Sequence, residues 1–230
     1  MLPRIKIAID GPAASGKSTT AREVARRMKY LYIDSGAMYR AVTVKALQLA
    51  VPTTEAQAVA DIAGDIAIEF KHNDLETEIY LDGEDVSLAI RRPEVTQNIN
   101  PVAANPQVRQ ILVAKQQDLG REGGVVMDGR DITTVVFPDA ELKIYMKASA
   151  EERAKRRVNE LAQKNIEADF QQVLAEIENR DQADFTRKHG PLTQAPDAIV
   201  IDTTHLSIEQ QVEHIYQLAT DIIKKSPGAN

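Results

Sequence analysis

The chain has 230 residues, and its 28 lysines and arginines against 34 aspartates and glutamates give a formal net charge of −6 at pH 7. This length favours one large domain, or one domain that carries an inserted unit, over two independent domains. The net acidity argues against a protein that coats nucleic acid or an anionic membrane, and the lack of cysteine excludes disulfides and thiolate-held metal sites. Because no segment approaches the ~20 apolar residues that span a bilayer, we expect a cytoplasmic protein with neither membrane nor nucleic acid among its partners.

Short apolar runs, each followed by a helical pattern, predict parallel strands that are covered by helices. The predicted strands lie at residues 5–9, 31–33, 125–127, 142–146 and 198–201. Each run is apolar on both faces, as expected for a strand that is buried in a parallel sheet. The sequence therefore predicts an α/β fold with a five-stranded parallel sheet flanked by helices.

The segment after the first predicted strand matches the phosphate-binding pattern G-x-x-x-x-G-K-[ST] and opens a helix predicted at residues 17–28. Gly11 and Gly16 allow successive N–H groups to turn inward at the helix N-terminus. In this pattern Lys17 neutralises the β- and γ-phosphates, and the Ser18 hydroxyl binds Mg²⁺. The motif predicts a three-layer P-loop fold that binds ATP or a similar nucleotide with Mg²⁺. The residues assigned to this nucleotide are Gly11, Pro12, Ala13, Ala14, Ser15, Gly16, Lys17, Ser18 and Thr19.

The signatures of two other P-loop classes are absent from the sequence. A switch GTPase would carry Asn-Lys-x-Asp or Thr-Lys-x-Asp as a guanine reader, and a transporter ATPase would carry Leu-Ser-Gly-Gly. The small kinases remain, and these must hold a second substrate beside the nucleotide.

An antiparallel pattern interrupts the alternation of strands and helices. Apolar residues alternate over 66–70, a turn is predicted at 72–74, and a second strand at 78–81 is followed by the hairpin signal Asp82-Gly83. We expect an inserted small antiparallel β unit at 64–93, with the core at 1–63 and 94–225. A frayed tail is predicted at 226–230.

Polar residues follow the second and third predicted strands, at the strand ends where ligands bind in open parallel sheets. Residues 34–36 read Asp-Ser-Gly and precede a helix that carries Arg40, and residues 128–131 read Asp-Gly-Arg-Asp. We expect both clusters to meet the phosphate loop in one crevice. Asp128 either holds Mg²⁺ through water or caps a short helix at Thr133, and the pattern leaves both roles open.

Two predicted helices carry groups of arginines. One face of the first helix presents Arg153, Arg156 and Arg157, and the repulsion between them suggests that an anion lies there, although a solvated face paired with glutamates would look similar. The second helix presents a stripe at i, i+4 and i+7, which alone is more typical of a ladder of salt bridges: Arg180, Asp184 and Arg187.

Together these motifs closely resemble those of bacterial cytidylate kinases. The resemblance covers residues 5–216 and rests on the phosphate loop and four further segments: 34–40, 128–131, 134–140 (Thr-Val-Val-Phe-Pro-Asp-Ala) and 152–157 (Glu-Arg-Ala-Lys-Arg-Arg). It implies a single P-loop kinase domain over residues 1–230 that transfers the γ-phosphoryl group of ATP to CMP or dCMP with Mg²⁺. The β unit at 64–93 would then be a monophosphate-binding unit, and residues 153–168 a short lid.

The resemblance also implies roles for individual residues. Those near CMP would be Ser35, Arg40 and Arg130 at the phosphate, Arg180 and Asp184 at the pentose, and Arg109, Asp131 and Arg187 at the cytosine edge. Asn100 stands where relatives commonly place a serine near the base, and its amide both donates and accepts. The catalytic residues would be Lys17, Arg130, Arg153 and Arg157, and the residues at the metal Ser18 and Asp128.

The chemistry of the acceptor explains why no general base is expected. A phosphate monoester is already a dianion near neutral pH, so catalysis reduces to positioning and charge neutralisation. We expect a monomer whose partners are ATP and CMP or dCMP. Two alternatives stay open: a kinase for UMP or another small acceptor, and a regulatory module that hydrolyses ATP slowly.

Overall fold

The computed structural model describes residues 4–72, 77–163 and 165–225. Residues 73 and 74 of the predicted turn and the predicted tail at 226–230 lie outside the described residues. The helices and strands in chain order are β1 (Lys6–Asp10), α1 (Lys17–Met28), β2 (Leu31–Asp34), α2 (Ser35–Gln48), α3 (Ala56–Asp65), β3 (Ile68–His72), β4 (Thr77–Leu81), β5 (Glu84–Asp85), α4 (Pro93–Ala104), α5 (Pro106–Leu119), β6 (Val125–Gly129), β7 (Leu142–Lys147), α6 (Ala150–Gln163), α7 (Phe170–Thr186), β8 (Ile199–Asp202) and α8 (Ile208–Lys225).

The central sheet has five strands in the order β2-β6-β1-β7-β8. The pairs β1 with β6, β1 with β7 and β7 with β8 are parallel, and each of the five residues of β6 is buried. The prediction of an α/β fold with a five-stranded parallel sheet is confirmed, as is the helix at residues 17–28. Because β1 lies in the middle of the order, the loop that follows it starts at the centre of the sheet edge.

The exposure of β8 shows that one prediction was wrong. Ile199 and Val200 are 38% and 39% exposed, and of the four residues of β8 only Ile201 is buried. The run was expected to be buried on both faces, but β8 is the last strand in the sheet order. An edge strand has a neighbour on one side only and less cover from the flanking helices, and an apolar run does not reveal where in a sheet its strand lies.

The residues divide into two compact units, one formed by 1–30 with 123–230 and the other by 31–122. In the first unit α8 packs against α1, and α6 packs against α7. None of the helices in the described part of the chain is long and apolar enough to cross a membrane.

The second unit contains the predicted antiparallel β structure. Strands β3 and β4 pair from Ile68 with Leu81 to His72 with Thr77, and β5 continues the sheet after a tight turn. Asp82 and Gly83 form that turn with φ angles of 51° and 85°, as the hairpin signal predicts. The bounds of the inserted unit at 64–93 and its role towards a monophosphate stay predictions.

Candidate functional site

Glycine occupies two positions of the phosphate loop, Gly11 and Gly16, where a side chain would clash or strain the backbone. A Cβ atom on Gly11 would lie 2.3 Å from the carbonyl oxygen of Met146, a distance at which the backbone of β7 would have to move. Gly16 has a φ angle of 90° and directly precedes α1 without a side chain that caps the helix. The first N–H groups of α1 are therefore left for an anion.

Ala14 adopts a left-handed backbone conformation that alanine rarely takes, with φ 58°. This conformation costs an L-residue about 1 kcal/mol. Its side chain packs against an apolar cluster of α6 and α7 that contains Ala154, Val173 and Ile177. Packing of the Ala14 methyl group against these helices offsets part of that cost.

Lys17 is buried inside the phosphate loop. Its Nζ atom donates to the carbonyl oxygen of Pro12 at 2.9 Å, and the residue is 5% exposed. Burial and, after it, the nearby charge of Arg130 lower the pKa of Lys17 to about 7, against the opposing charge of Asp128. An anion in the loop would restore the charge of this lysine.

Ser18 and Asp128 form a pair of oxygen ligands suited to Mg²⁺. The Ser18 hydroxyl donates to Oδ2 of Asp128 at 2.7 Å, and Asp128 is buried at the carboxyl end of β6. No group of three His, Cys, Asp or Glu residues that could hold a metal occurs among the described residues. Mg²⁺ fits such a site because it is commonly held by one or two protein oxygens and completed by substrate phosphates.

Of two other polar side chains in the loop region, Ser15 and Thr19, only Ser15 faces inward. The buried hydroxyl of Ser15 has no hydrogen-bond partner in the part of the chain that the structure describes. Such an orphaned group fits a loop that receives a polar ligand. Thr19, by contrast, is exposed on the first turn of α1.

Asp10, which is not among the predicted site residues, caps the turn after β6. Its carboxylate accepts from the N–H groups of Ile132 and Thr133 at 2.9 and 2.7 Å, and from the Thr133 hydroxyl at 2.6 Å. Burial raises the pKa of Asp10 to about 6 although these hydrogen bonds oppose the shift. The cap that the sequence left open for Asp128 is therefore supplied by Asp10, at the start of the phosphate loop.

Four charged residues gather after β6 and at the end of α7. Nε of Arg130 lies 2.5 Å from Oδ2 of Asp184, and Arg187 lies 3.8 Å from Asp184 and 4.0 Å from Asp131. Burial opposes ionisation of Asp184, yet the charge of Arg130 and its hydrogen bond hold the pKa of that carboxyl below its usual value. The cluster thus carries two cations and two anions in a setting with little solvent.

The stripe of α7 differs from the sequence expectation at its end. Arg187 follows the last helical residue and has extended backbone angles, and its Nε donates to the carbonyl oxygen of Gly190. Arg180 is exposed one turn before Asp184 and contributes to the low pKa of that carboxyl. The helical spacing therefore holds for Arg180 and Asp184, while the chain turns away before Arg187.

The three arginines of α6 lie in three different environments. Arg153 is buried and binds both carboxylate oxygens of Asp181, at 3.0 and 2.5 Å. Arg156 donates to the carbonyl oxygens of the loop between β8 and α8. Arg157 is exposed and pairs with Glu160 at 2.9 Å. Of the two predicted catalytic arginines on α6, only Arg157 presents its charge to solvent.

The second unit holds the remaining predicted CMP residues. Ser35 is buried at the start of α2, and an added Cβ on Gly36 would lie 3.2 Å from Nη1 of Arg40, so this guanidinium lies over the first turn. Arg109 is buried on α5, and its Nη1 donates to the Tyr39 hydroxyl at 3.4 Å. Asn100 is exposed on α4.

Three residues of the first unit contact the phosphate loop or its surroundings but were missed: Asp10, Asp181 and Thr203. A sequence signal existed for Asp10, because an aspartate that ends an apolar strand is buried and needs hydrogen-bond donors. Asp181 and Thr203 are brought to the loop by tertiary packing of α7 and of the segment after β8, for which the local pattern has no signal.

Comparisons with known proteins show which family this chain is similar to. The family model described as "Cytidylate kinase" matches residues 7–221. A cytidylate kinase of Lactiplantibacillus plantarum is 49% identical over 216 residues, which cover 94% of this chain and 95% of that protein. A cytidylate kinase of a Geobacillus species is 49% identical over 223 residues, covering 97% and 100% of the two chains. A solved structure of an uncharacterized protein from Eubacterium ventriosum shares the fold alone, with a TM-score of 0.50 at 13% identity over 95% of this chain and 99% of that one.

Proposed function

Because this chain belongs to the cytidylate kinase family, we propose that it transfers the γ-phosphoryl group of ATP to CMP or dCMP and releases ADP with CDP or dCDP. In this reaction an oxygen of the acceptor phosphate forms a bond to the γ-phosphorus as the bond to the β-phosphate oxygen breaks. The acceptor is a dianion near neutral pH and needs no residue to remove a proton.

One observation carries the proposal: Lys17 is buried inside the phosphate loop, where its Nζ donates to the carbonyl oxygen of Pro12 at 2.9 Å. Arg130 lowers the pKa of Lys17, and Arg180 adds to the effect, although burial is the largest cause. The carboxylates of Asp128 and Asp184 oppose this lowering only in part, so a further anion beside Lys17 would be favourable. A phosphoryl group in transfer between two nucleotides would supply that anion.

Each group of residues then has a task in the reaction. Lys17 and the inward N–H groups of the phosphate loop bind the β- and γ-phosphates, and Arg130 binds the acceptor phosphate and the group in transfer. Ser18 and Asp128 would hold Mg²⁺, which would neutralise negative charge on the phosphates. Residues 153–168 are assigned to a lid that excludes water so that ATP is not hydrolysed. Arg157 would face the phosphates, and Arg153, bound to Asp181, would form the fixed base of the lid.

The remaining assignments concern CMP itself. Ser35 and Arg40 bind its phosphate with Arg130, Arg180 and Asp184 bind the pentose, and Arg109 and Asn100 contribute to binding of the base. Asp131 is well suited to choose the base because a carboxylate accepts from the amino group of cytosine and finds only a carbonyl oxygen in uracil. Arg187, 4.0 Å from Asp131, presents donors to the same edge. The monomeric state and the cytoplasmic location stay predictions.

An acceptor panel tests this function. In a coupled assay with ATP, kcat/KM for CMP and dCMP is expected to exceed the values for UMP, AMP and GMP by at least about tenfold. Uracil lacks the amino group from which Asp131 would accept, and the purine bases of AMP and GMP are larger than cytosine. A preference for UMP or for a non-nucleotide acceptor would support the nearest alternative instead.

The variant Asp131→Asn tests whether Asp131 is the residue that selects CMP over UMP. An asparagine amide can donate to the uracil oxygen, so the ratio of CMP to UMP use is expected to fall while KM for ATP is unchanged. Asp139→Asn is a matched control, because Asp139 is an exposed carboxylate that pairs with Lys6. Equal losses for CMP and ATP in Asp131→Asn would contradict the role assigned to this residue.

A further inference from the structure

Two carbonyl groups of the phosphate loop are bound from outside the loop by side chains. The carbonyl oxygen of Ala13 accepts from Nη1 of Arg153 at 3.0 Å. The carbonyl oxygen of Ser15 accepts from the Thr203 hydroxyl at 3.0 Å. Neither donor belongs to the loop, since Arg153 lies on α6 and Thr203 follows β8.

These contacts fix the direction of the next N–H group in each case. A trans peptide is planar, and its C=O and N–H bonds point in opposite directions. With the Ala13 carbonyl turned to Arg153, the N–H of Ala14 points away from Arg153, and by the same rule the N–H of Gly16 points away from Thr203. Neither N–H donates a hydrogen bond to any of the described residues, so both are left for a ligand.

The two donors are themselves held firmly. Arg153 donates through Nε to the carbonyl oxygen of Ala148 at 3.1 Å, and both its Nη atoms bind Asp181. Thr203 is fully buried, and its backbone N–H donates to the carbonyl oxygen of Lys147 at 2.8 Å. Its single hydroxyl proton lies nearer the carbonyl oxygen of Ser15, at 3.0 Å from Oγ1, than that of Lys147, at 3.2 Å. Arg156 donates to the Thr203 carbonyl oxygen at 2.5 Å. Because these donors are already ordered before a ligand binds, orienting the carbonyl adds no further loss of side-chain entropy to the free energy of binding.

We propose that Thr203 and the Arg153–Asp181 pair are positioning residues of the phosphate loop, which turn the N–H groups of Ala14 and Gly16 towards the phosphates of the donor nucleotide. They act through the loop and not by contact with the phosphates. The proposal rests on the proposed function only in that the loop binds a nucleoside triphosphate. It goes beyond that function in assigning a task to Thr203 and Asp181, which no motif of the sequence marks.

Thr203→Val is the direct test, because valine has the shape of threonine and lacks the hydroxyl. Titration of Mg²⁺–ATP by calorimetry, without any acceptor, is expected to give a Kd raised about tenfold, the size of one lost oriented contact to a charged ligand. Thr203→Ser keeps the hydroxyl and is expected to stay within about twofold of the wild-type Kd. The Kd of CMP is expected to stay unchanged in both variants.

Several outcomes would overturn the proposal. The proposal is wrong if Thr203→Val binds ATP with the wild-type Kd. It is also wrong if Thr203→Val loses affinity for ATP and CMP equally, or if Thr203→Ser binds ATP as weakly as Thr203→Val. The last two results would indicate a merely structural role for Thr203. The measurement needs no phosphoryl transfer. If wild-type protein binds ATP but phosphorylates neither CMP nor dCMP, the proposed function fails while this test keeps its meaning.

The Arg153–Asp181 pair is tested by removing both charges together. Asp181→Asn alone leaves a buried cation without its counter-ion and could unfold the protein, whereas Arg153→Met with Asp181→Leu replaces the pair by apolar groups of similar size. The double variant is expected to melt within a few degrees of wild type and to bind ATP about tenfold more weakly. Lys155→Met, at an exposed position of the same helix, is the matched control. Unchanged ATP affinity in a folded double variant would overturn this half of the proposal.

Discussion

Replacing Lys17 with methionine is expected to lower kcat by about a thousandfold or more while the protein stays folded. Lys17 is the one lysine of the phosphate loop, and its Nζ is already directed at a loop oxygen, the carbonyl of Pro12. Methionine fills a similar volume without charge. Because burial disfavours the charged lysine, as its lowered pKa shows, the variant is expected to be at least as stable as wild type. Steady-state kinetics and thermal unfolding measure the two effects.

The same variant carries a prediction about pH. The pKa of Lys17 is about 7 in the free protein, so above pH 7 the side chain is mostly neutral until bound phosphates draw a proton onto it. ATP binding is then accompanied by proton uptake, and wild-type affinity is expected to fall as pH rises from 7 to 9, by up to about tenfold per unit. Calorimetry in two buffers of different ionisation enthalpy detects the uptake.

Lys17→Met should show neither the proton uptake nor the added pH dependence. Lys224→Met is the matched control, since Lys224 is exposed in the last turn of α8. A loss of activity in the control, or proton uptake that persists in Lys17→Met, would show that another group titrates and that Lys17 does not neutralise the phosphates.

Replacing Arg130 with methionine is expected to lower kcat/KM for CMP by about a thousandfold, with a much smaller change in the Kd of ATP. Arg130 follows β6 directly, and its Nε is fixed by Asp184, so the rest of its guanidinium is presented in a set direction. An arginine can bind a phosphate through two parallel N–H···O hydrogen bonds, so its replacement by methionine removes both the positive charge and the fixed orientation of the phosphate. Without Arg130 the pKa of Lys17 is expected to rise, which favours ATP binding at pH 8.

Arg130→Lys separates charge from geometry. Lysine restores the charge but not the planar fork, and we expect it to recover only part of the activity. Truncation leaves Asp184 buried beside Arg180 and Arg187, so stability must be measured alongside activity; Arg121→Met, at a position that is 73% exposed, serves as the control. If Arg130→Met loses ATP affinity as strongly as CMP use, Arg130 serves the donor and the assignment is wrong.

The fold could be predicted because the apolar runs, the phosphate-loop motif and the turn residues of the sequence all indicate the same arrangement of strands and helices. Apolar runs, a glycine-rich loop and the Asp82-Gly83 turn give the parallel sheet, the start of α1 and the antiparallel hairpin. The exposed face of β8 was not predictable, because position within a sheet is a tertiary property. The apolar sequence of Ile199–Asp202 is compatible with a strand at the centre of a sheet as well as with one at its edge.

The candidate site shows the same division. Lys17, Ser18 and Asp128 follow from local motifs, and the structure places Ser18 against Asp128. The environments of the α6 arginines could not be predicted in this way, because helical spacing puts Arg153 and Arg157 close together on the helix and does not indicate which of them is buried. Packing against α7 buries Arg153 with Asp181 and leaves Arg157 exposed. Which arginine touches a phosphate and which one shapes the loop depends on partners more than 20 residues away in the chain.

The central claim is that the phosphoryl group passes from ATP to a pyrimidine monophosphate and not to water. The most direct measurement is to mix the wild-type protein with Mg²⁺, ATP and CMP and to count both products by chromatography. One CDP for each ADP, with little ADP formed when CMP is left out, is the predicted result. ADP that appears without CDP, at the same rate with and without CMP, would contradict the account and identify the protein as an ATPase.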